Sequence, residues 1–131
     1  MKTLFPKDKQ PTLRITTGPS DANLNGSIFG GWLMSHIDIA GSIDAAIRAN
    51  GPVATVTVES LQFLNPLYPH DHVSFYTEIT RVGKTSITIA IEVYAQRAIY
   101  GENFEHQIVK VADAVFIYVA VSKPGEKRLV P

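Results

Sequence analysis

A carboxylate stands in the middle of a largely apolar run. From Ile28 to Ile47 the chain is apolar on nearly every side, and Asp38 lies in the middle of it. A helix apolar all round is a buried helix. A carboxylate in the middle of such a helix is costly unless it is paired, hydrogen-bonded or wet. Its place there can be structural, as a cap for a loop or a partner for a base across an interface. It can also be chemical, as a carboxylate held beside a substrate. Its helical neighbours are Met34, Ser35, Gly41 and Ser42, and the small residues at 41 and 42 leave room for something to approach.

Gly30 and Gly31 open the same segment. Two glycines allow close approach to backbone N–H groups, and a helix N-terminus favours negative charge. The developing oxyanion of acyl transfer is one such charge. Helix-start packing is the plainer account of the same pair. The combination with Asp38 about two turns on is more specific than either feature alone.

Other chemistries find less support. Gly26-Ser27 lacks the flanks of a Gly-x-Ser-x-Gly nucleophile turn. Gly83-Lys84-Thr85 is only the tail of a phosphate loop, and it falls between strands rather than before a helix. The chain has no cysteine, which removes disulfides, thiolate catalysis and Cys-ligated metals. His70-Asp71-His72 reads as a polar turn before a strand; a metal site needs three or four ligands, and no partner cluster accompanies it. His36 reads as a satisfied or interfacial histidine and stays in reserve as a base.

Elements to position these groups follow from periodicity. Leu13 to Thr17 is a short strand candidate. Gly18 to Gly30 is a loop rich in Gly, Asn, Asp and Ser. A helix runs from about Gly31 to Ala49 and is stopped by Asn50-Gly51-Pro52. Asp44 and Arg48, four apart, suggest an exposed pair on its last turns. The period then changes to two. Val53 to Leu64 places Val56 and Val58 on one face and Thr55, Thr57 and Glu59 on the other. Val73 to Val82, Thr85 to Arg97 and Gln107 to Val121 are further strands, with Gly83-Lys84 as a two-residue hairpin turn and Ile99 to Glu105 as a loop.

A strand, one long helix and four long strands joined by hairpins make an α+β fold with an antiparallel sheet. A single sheet covers only part of such a helix, and its long strands leave open edges. Pairing of two chains relieves both problems, so at least a dimer is expected. The 131 residues suit one domain. Residues 1–12 read as a mobile tail and 13–131 as the domain. Apolar content of 45% and a balance of 12 basic against 12 acidic residues fit a soluble globular protein with no mark of a general nucleic-acid binder. The basic residues collect at the two ends, as solubilising tails or as contacts for a phosphate-bearing ligand. The N-terminus has no apolar core of signal-peptide length, and the polar interruptions at Ser35, His36, Asp38, Ser42 and Asp44 make the helix a poor membrane span. A cytoplasmic address is the default expectation.

The ordered residues carry a family likeness. Ser20-Asp21-Ala22-Asn23 through Gly26, then Ile28-Phe29-Gly30-Gly31-Trp32-Leu33-Met34-Ser35 and Ile37-Asp38-Ile39-Ala40-Gly41 form the main motif. Phe63-Leu64-Asn65-Pro66, Val82-Gly83-Lys84-Thr85-Ser86, Phe116 to Val121 and Arg128 to Pro131 support it. From about Leu13 to Pro131 the chain resembles the hotdog-fold acyl-CoA thioesterases, in the bacterial YciA-like branch related to the cytosolic brain-type acyl-CoA hydrolases. It departs from them at Ser27, where the family often has Asp or Asn, and at His70-Asp71, where a Gly-Asp turn is usual.

The resemblance implies an antiparallel sheet wrapped around one long buried helix, dimerising through the sheets, commonly into a trimer of dimers. It implies a site between subunits, in which Asp38 is catalytic, Asn23 acts with it from the other chain, and the Gly31 N–H, with that of Gly30, meets the thioester carbonyl. The substrate implied is acyl-CoA, with CoA bound as part of substrate and as product and with no metal or further cofactor. Lys84, Thr85, Ser86 and Arg128 are candidates for the CoA phosphates. The acyl chain is expected between the helices, near Trp32, Leu33 and Met34. Two rivals are a non-catalytic acyl-CoA-binding sensor on the same fold, and a dehydratase or isomerase working through His36.

Overall fold

A computed structural model of the chain describes residues 2–99 and 105–131. The chain forms β1 (Leu13–Thr16), a helical turn at Pro19–Asp21, α1 (Gly30–Ala49), β2 (Val53–Phe63), β3 (His72–Val82), β4 (Ser86–Ile99), β5 (Glu105–Lys123) and β6 (Glu126–Lys127). The sheet order is β1-β3-β4-β5-β2, with β6 on β5, and every pairing is antiparallel. The strand and helix positions read from periodicity hold to within a few residues. The loop expected between Ile99 and Glu105 falls largely outside the described residues.

Three details differ. β2 makes no hairpin with β3; it pairs with β5 at the far edge, so the chain crosses over between them. The β3–β4 turn has three residues, 83–85, closed by Gly83 N–H on Ser86 O at 2.8 Å. Thr85 therefore precedes the strand. β6 is two residues long, too short to carry a period.

The helix stops where its last residues dictate. Asn50 takes the left-handed conformation (φ 51°), and its N–H reaches back to the carbonyls of Ala46 and Ile47. One face of α1 is buried in the curve of the sheet through Leu33, Ile37, Ala40, Gly41, Ala45 and Ala49, against a core that includes Phe75, Ile89, Ile91, Phe116 and Tyr118. The opposite side carries Met34, Ile39, Ile43 and Ile47, all exposed, Ile47 by 75%. An apolar helix with one uncovered face is the arrangement expected of a chain that pairs with another.

Asp44 and Arg48 do not pair with each other. Asp44 accepts from Thr77 Oγ1 at 2.6 Å, and that hydroxyl also meets Thr12; Arg48 donates to Pro131 O at 2.7 Å. Asp44 thus ties the helix to β3, and Arg48 ties it to Pro131. Upstream of β1, Phe5 lies against Tyr76 and Tyr94, with Arg14 over its ring.

The polar turn at His70-Asp71 has a buried anchor. Asp71 is 1% exposed. It accepts from Arg97 Nε at 2.9 Å and Nη2 at 2.7 Å, and from Tyr68 N–H at 2.9 Å. Arg97 also donates to Pro66 O and lies over the Tyr68 ring. The Asp71 hydrogen bonds push the guanidinium further above its ordinary pKa, against the opposing effect of burial. This fastens the 66–71 loop, whose Leu67 carbonyl takes the Ile28 N–H at 2.8 Å just before α1.

Candidate active site

Asp38 faces an open cleft of about 390 Å³ together with Gly31, Met34, Ser35, Thr55, Val58 and Phe116. The helical residues among these stand three, four and seven positions apart, so they share one face. The carboxylate is half-buried and hydrogen-bonded: Thr55 Oγ1 donates to Asp38 Oδ1 at 2.6 Å. The Asp38 backbone carbonyl accepts from Tyr118 Oη at 2.8 Å. Burial first, and Asp38 after it, raise the Tyr118 pKa far above its usual value, so the phenol stays a donor.

Thr55 is the residue that strict alternation misplaces. Two bulges interrupt β2, between Thr55 and Thr57 and between Val58 and Ser60. Thr55 is paired with Tyr118, Val58 with Phe116 and Leu61 with Ala114, and those partners face the helix. Thr55 and Val58 therefore share the inner face instead of standing on opposite faces. Each bulge sets two residues against one and so resets the alternation.

At the start of α1, Phe29 offers no side-chain cap, and the first turn holds no acid. The N–H groups of Trp32 and Leu33 turn back to Phe29 O. Those of Gly30 and Gly31 come too early for an acceptor within the helix. Space around Gly31 is open, with no atom within 4 Å of where a Cβ would stand. Gly30 sits against the Phe63 ring, 3.4 Å from such a Cβ. It borders a second, apolar pocket of about 320 Å³ formed with Ile28, Leu33, Phe63 and Leu67. Leu33 thus looks into this pocket and Met34 into the Asp38 cleft.

Asn23 organises its own loop. Its Oδ1 accepts from the N–H of Asn25 at 2.8 Å and of Ser27 at 3.3 Å, and its Nδ2 donates to Ser27 Oγ at 3.1 Å. Ser27 thus supplies the polar partner that the loop needs. Asn23 does not line the Asp38 cleft of its own chain. His36 donates Nδ1–H to Trp32 O at 2.8 Å and stacks on the Trp32 ring at 4.1 Å, the satisfied histidine that the sequence suggests.

The phosphate candidates gather at one end of the sheet. Lys84 O accepts from Val130 N–H, Thr85 O from Ala120 N–H, and Ala120 O from Arg128 N–H. Lys84 is exposed, while Thr85 and Ser86 are half-buried. Arg128 turns inward: Nε donates to Val121 O at 3.0 Å, and Nη2 is buried without a hydrogen-bond partner. A Cβ on Gly51 would stand 2.7 Å from that nitrogen. None of the four lines the Asp38 cleft. Among the described residues, no group of three or more His, Cys, Asp or Glu is placed to hold a metal. No helix among them is long and apolar enough to cross a membrane.

A six-stranded antiparallel sheet curled about one long helix is the hotdog arrangement. Residues 25–99 match the model of the Thioesterase superfamily, and the chain belongs to that superfamily. It is 44% identical over 119 residues to the acyl-CoA thioester hydrolase YciA of Salmonella typhimurium, covering 91% of this chain and 88% of that one. The structure is similar to a hexameric hotdog fold thioesterase of Campylobacter jejuni, with a TM-score of 0.90 and 35% identity, over 96% of this chain and 93% of that one. It is also similar to a hexameric thioesterase of Yersinia pestis, with a TM-score of 0.85 and 41% identity, over 96% of this chain and 98% of that one. The family read from the Asn23 to Gly41 motif is the family these likenesses give.

Proposed function

We propose that the protein hydrolyses acyl-CoA to free fatty acid and CoA. The observation that carries this reading is the Asp38 carboxylate, held by Thr55 in a cleft that has Gly31 on its rim. Asp38 takes a proton from water, which adds to the thioester carbonyl, or it attacks that carbon itself. The carbonyl oxygen gains negative charge beside the N–H of Gly31, with that of Gly30 next to it. A donor of this kind is typically worth about 3–4 kcal/mol in the transition state. When water is the nucleophile, the C–S bond then breaks and CoA leaves as a thiolate that takes up the proton held by Asp38. When Asp38 attacks, the C–S bond breaks to leave an acyl–Asp38 anhydride, and its hydrolysis by water restores the carboxylate, frees the fatty acid and gives the thiolate its proton. Thiolate is a good leaving group, so no second acid is called for, and no cofactor beyond the CoA of the substrate. Exposed Lys84, with Thr85 and Ser86, suits the CoA phosphates; Arg128 serves this end through backbone order, given its inward turn.

The assembly we propose is a dimer joined through the sheets, within a trimer of dimers in the cytoplasm. The uncovered helix face and the edge strand β2 support it, as do the hexameric relatives. The test of function is thiol release from a panel of acyl-CoAs of graded length. Hydrolysis of none above the blank sinks the enzyme reading and favours a binding module.

The partner chain supplies Asn23 in this reading, since Asn23 stands away from its own Asp38 cleft. Mixing Asn23→Ala subunits with Asp38→Ala subunits should therefore restore activity. After full exchange about half the dimers are mixed, by simple combination, and each has one site with neither lesion. Mixtures that stay dead after verified exchange place both residues in one chain, or make one of them structural.

A further inference from the structure

The sheet comes close against the helix at Gly41. A Cβ there would stand 2.3 Å from Tyr118 Oη and 3.0 Å from two of its ring carbons, so only glycine admits the phenol. Through that gap Tyr118 Oη donates to the backbone carbonyl of Asp38 at 2.8 Å. Tyr118 is fully buried. It is also the cross-strand neighbour of Thr55, whose hydroxyl donates to Asp38 Oδ1. Two adjacent positions of one strand pair thus hold the same helical residue.

Each bond alone leaves a freedom. Thr55 fixes the carboxylate but not the placement of the helix from which it hangs. Tyr118 ties the helix to the sheet at that residue but not the side-chain torsions. Together they set both. A core ring without a hydroxyl would fill the space as well, as Phe116 does on the same face of β5. The hydroxyl is the part that packing does not require.

We infer that Tyr118, admitted by Gly41, is a positioning residue that sets the pose of the Asp38 carboxylate. This rests on the thioesterase reading, in which small displacements of a reacting group are expensive. Tyr118→Phe removes one oxygen from a filled site. Turnover (kcat) should fall about tenfold, the scale of one well-placed hydrogen bond. KM should stay within about twofold, because the bond touches no part of the substrate. In a Thr55→Val background the further loss should be smaller than in the wild type, since both bonds act through one carboxylate.

Gly41→Ala gives a second route, because its methyl group displaces the phenol from the carbonyl. It should lower kcat, and adding Tyr118→Phe to it should cost little more. Wild-type kcat in a folded Tyr118→Phe protein overturns the inference, as does a rise in KM alone or full additivity with Thr55→Val. Should the wild type itself hydrolyse no acyl-CoA, the thioesterase reading fails separately. The inference is then read from the carboxyl ¹³C resonance of Asp38, assigned through Asp38→Asn. That resonance should move in Tyr118→Phe, and an unmoved one overturns the inference.

Discussion

Asp38→Asn should lower acyl-CoA turnover by at least about a hundredfold, the low end for lost acid–base catalysis, in a protein that stays folded and assembled. The amide keeps the shape of the side chain and can still accept from Thr55 Oγ1, so the 2.6 Å contact survives in kind. It can neither take a proton from water nor attack the thioester. His36→Ala is the control. That imidazole spends Nδ1–H on Trp32 O and stacks on the indole. Most activity should survive its loss. The assay is thiol release at saturating substrate, with circular dichroism and gel filtration on each variant. Activity retained in Asp38→Asn and lost in His36→Ala would move the protein to a histidine-based reaction.

Arg97→Ala should be the most destabilising of the surface-reaching substitutions. It strands Asp71, which is 1% exposed and takes two of its hydrogen bonds from that guanidinium. Breaking a buried pair by removing one partner typically costs about 3–5 kcal/mol. Arg97→Lys should recover only part of this, because an ammonium cannot reproduce the fork, the Pro66 bond and the stacking on Tyr68 together. Lys123→Ala is the reference. It breaks an exposed pair with Glu126, and such pairs contribute about 0–1 kcal/mol. Urea midpoints at one fixed protein concentration compare the three, since assembly makes stability depend on concentration. An Arg97→Ala midpoint close to that of Lys123→Ala would show that Asp71 does not need its partner.

These two anchors differ in how far the sequence reveals them. Asp38 is conspicuous because its neighbours in the chain are apolar and it is not. Local contrast is enough to mark it. Asp71 sits among polar residues in a turn, and its burial comes from Arg97 on another strand. Nothing local distinguishes it from a solvated turn residue. The helix was legible at both ends for the same local reason, two glycines at one and Asn50-Gly51-Pro52 at the other. The long strands were legible from period two, their order less so: the crossover from β2 to the far edge is a matter of pairing. Asp44 and Arg48 have the spacing of a helix pair, yet Thr77 and the chain end claim them first. The role given to Asn23 rests on family likeness, because its own loop satisfies its side chain.

Thr55 shares the inner face with Val58, three residues on, because β2 carries a bulge between them. That placement is written in a count as well as in a residue name. Val56 and Glu59 are the surplus residues, and both are exposed. Their side chains can change with little consequence for the register. Dropping Val56 would leave Thr55 and Val58 two apart, and dropping Glu59 would do the same for Val58 and Leu61, so regular alternation would keep each pair on one face. What would part them is a bulge that closes up with its surplus residue still present, because the strand would then run on in strict alternation and turn Thr55 away from Val58. Along β2 the site is thus written in the parity of a spacing, and a shorter, regular strand would carry the same inner face as the bulged one.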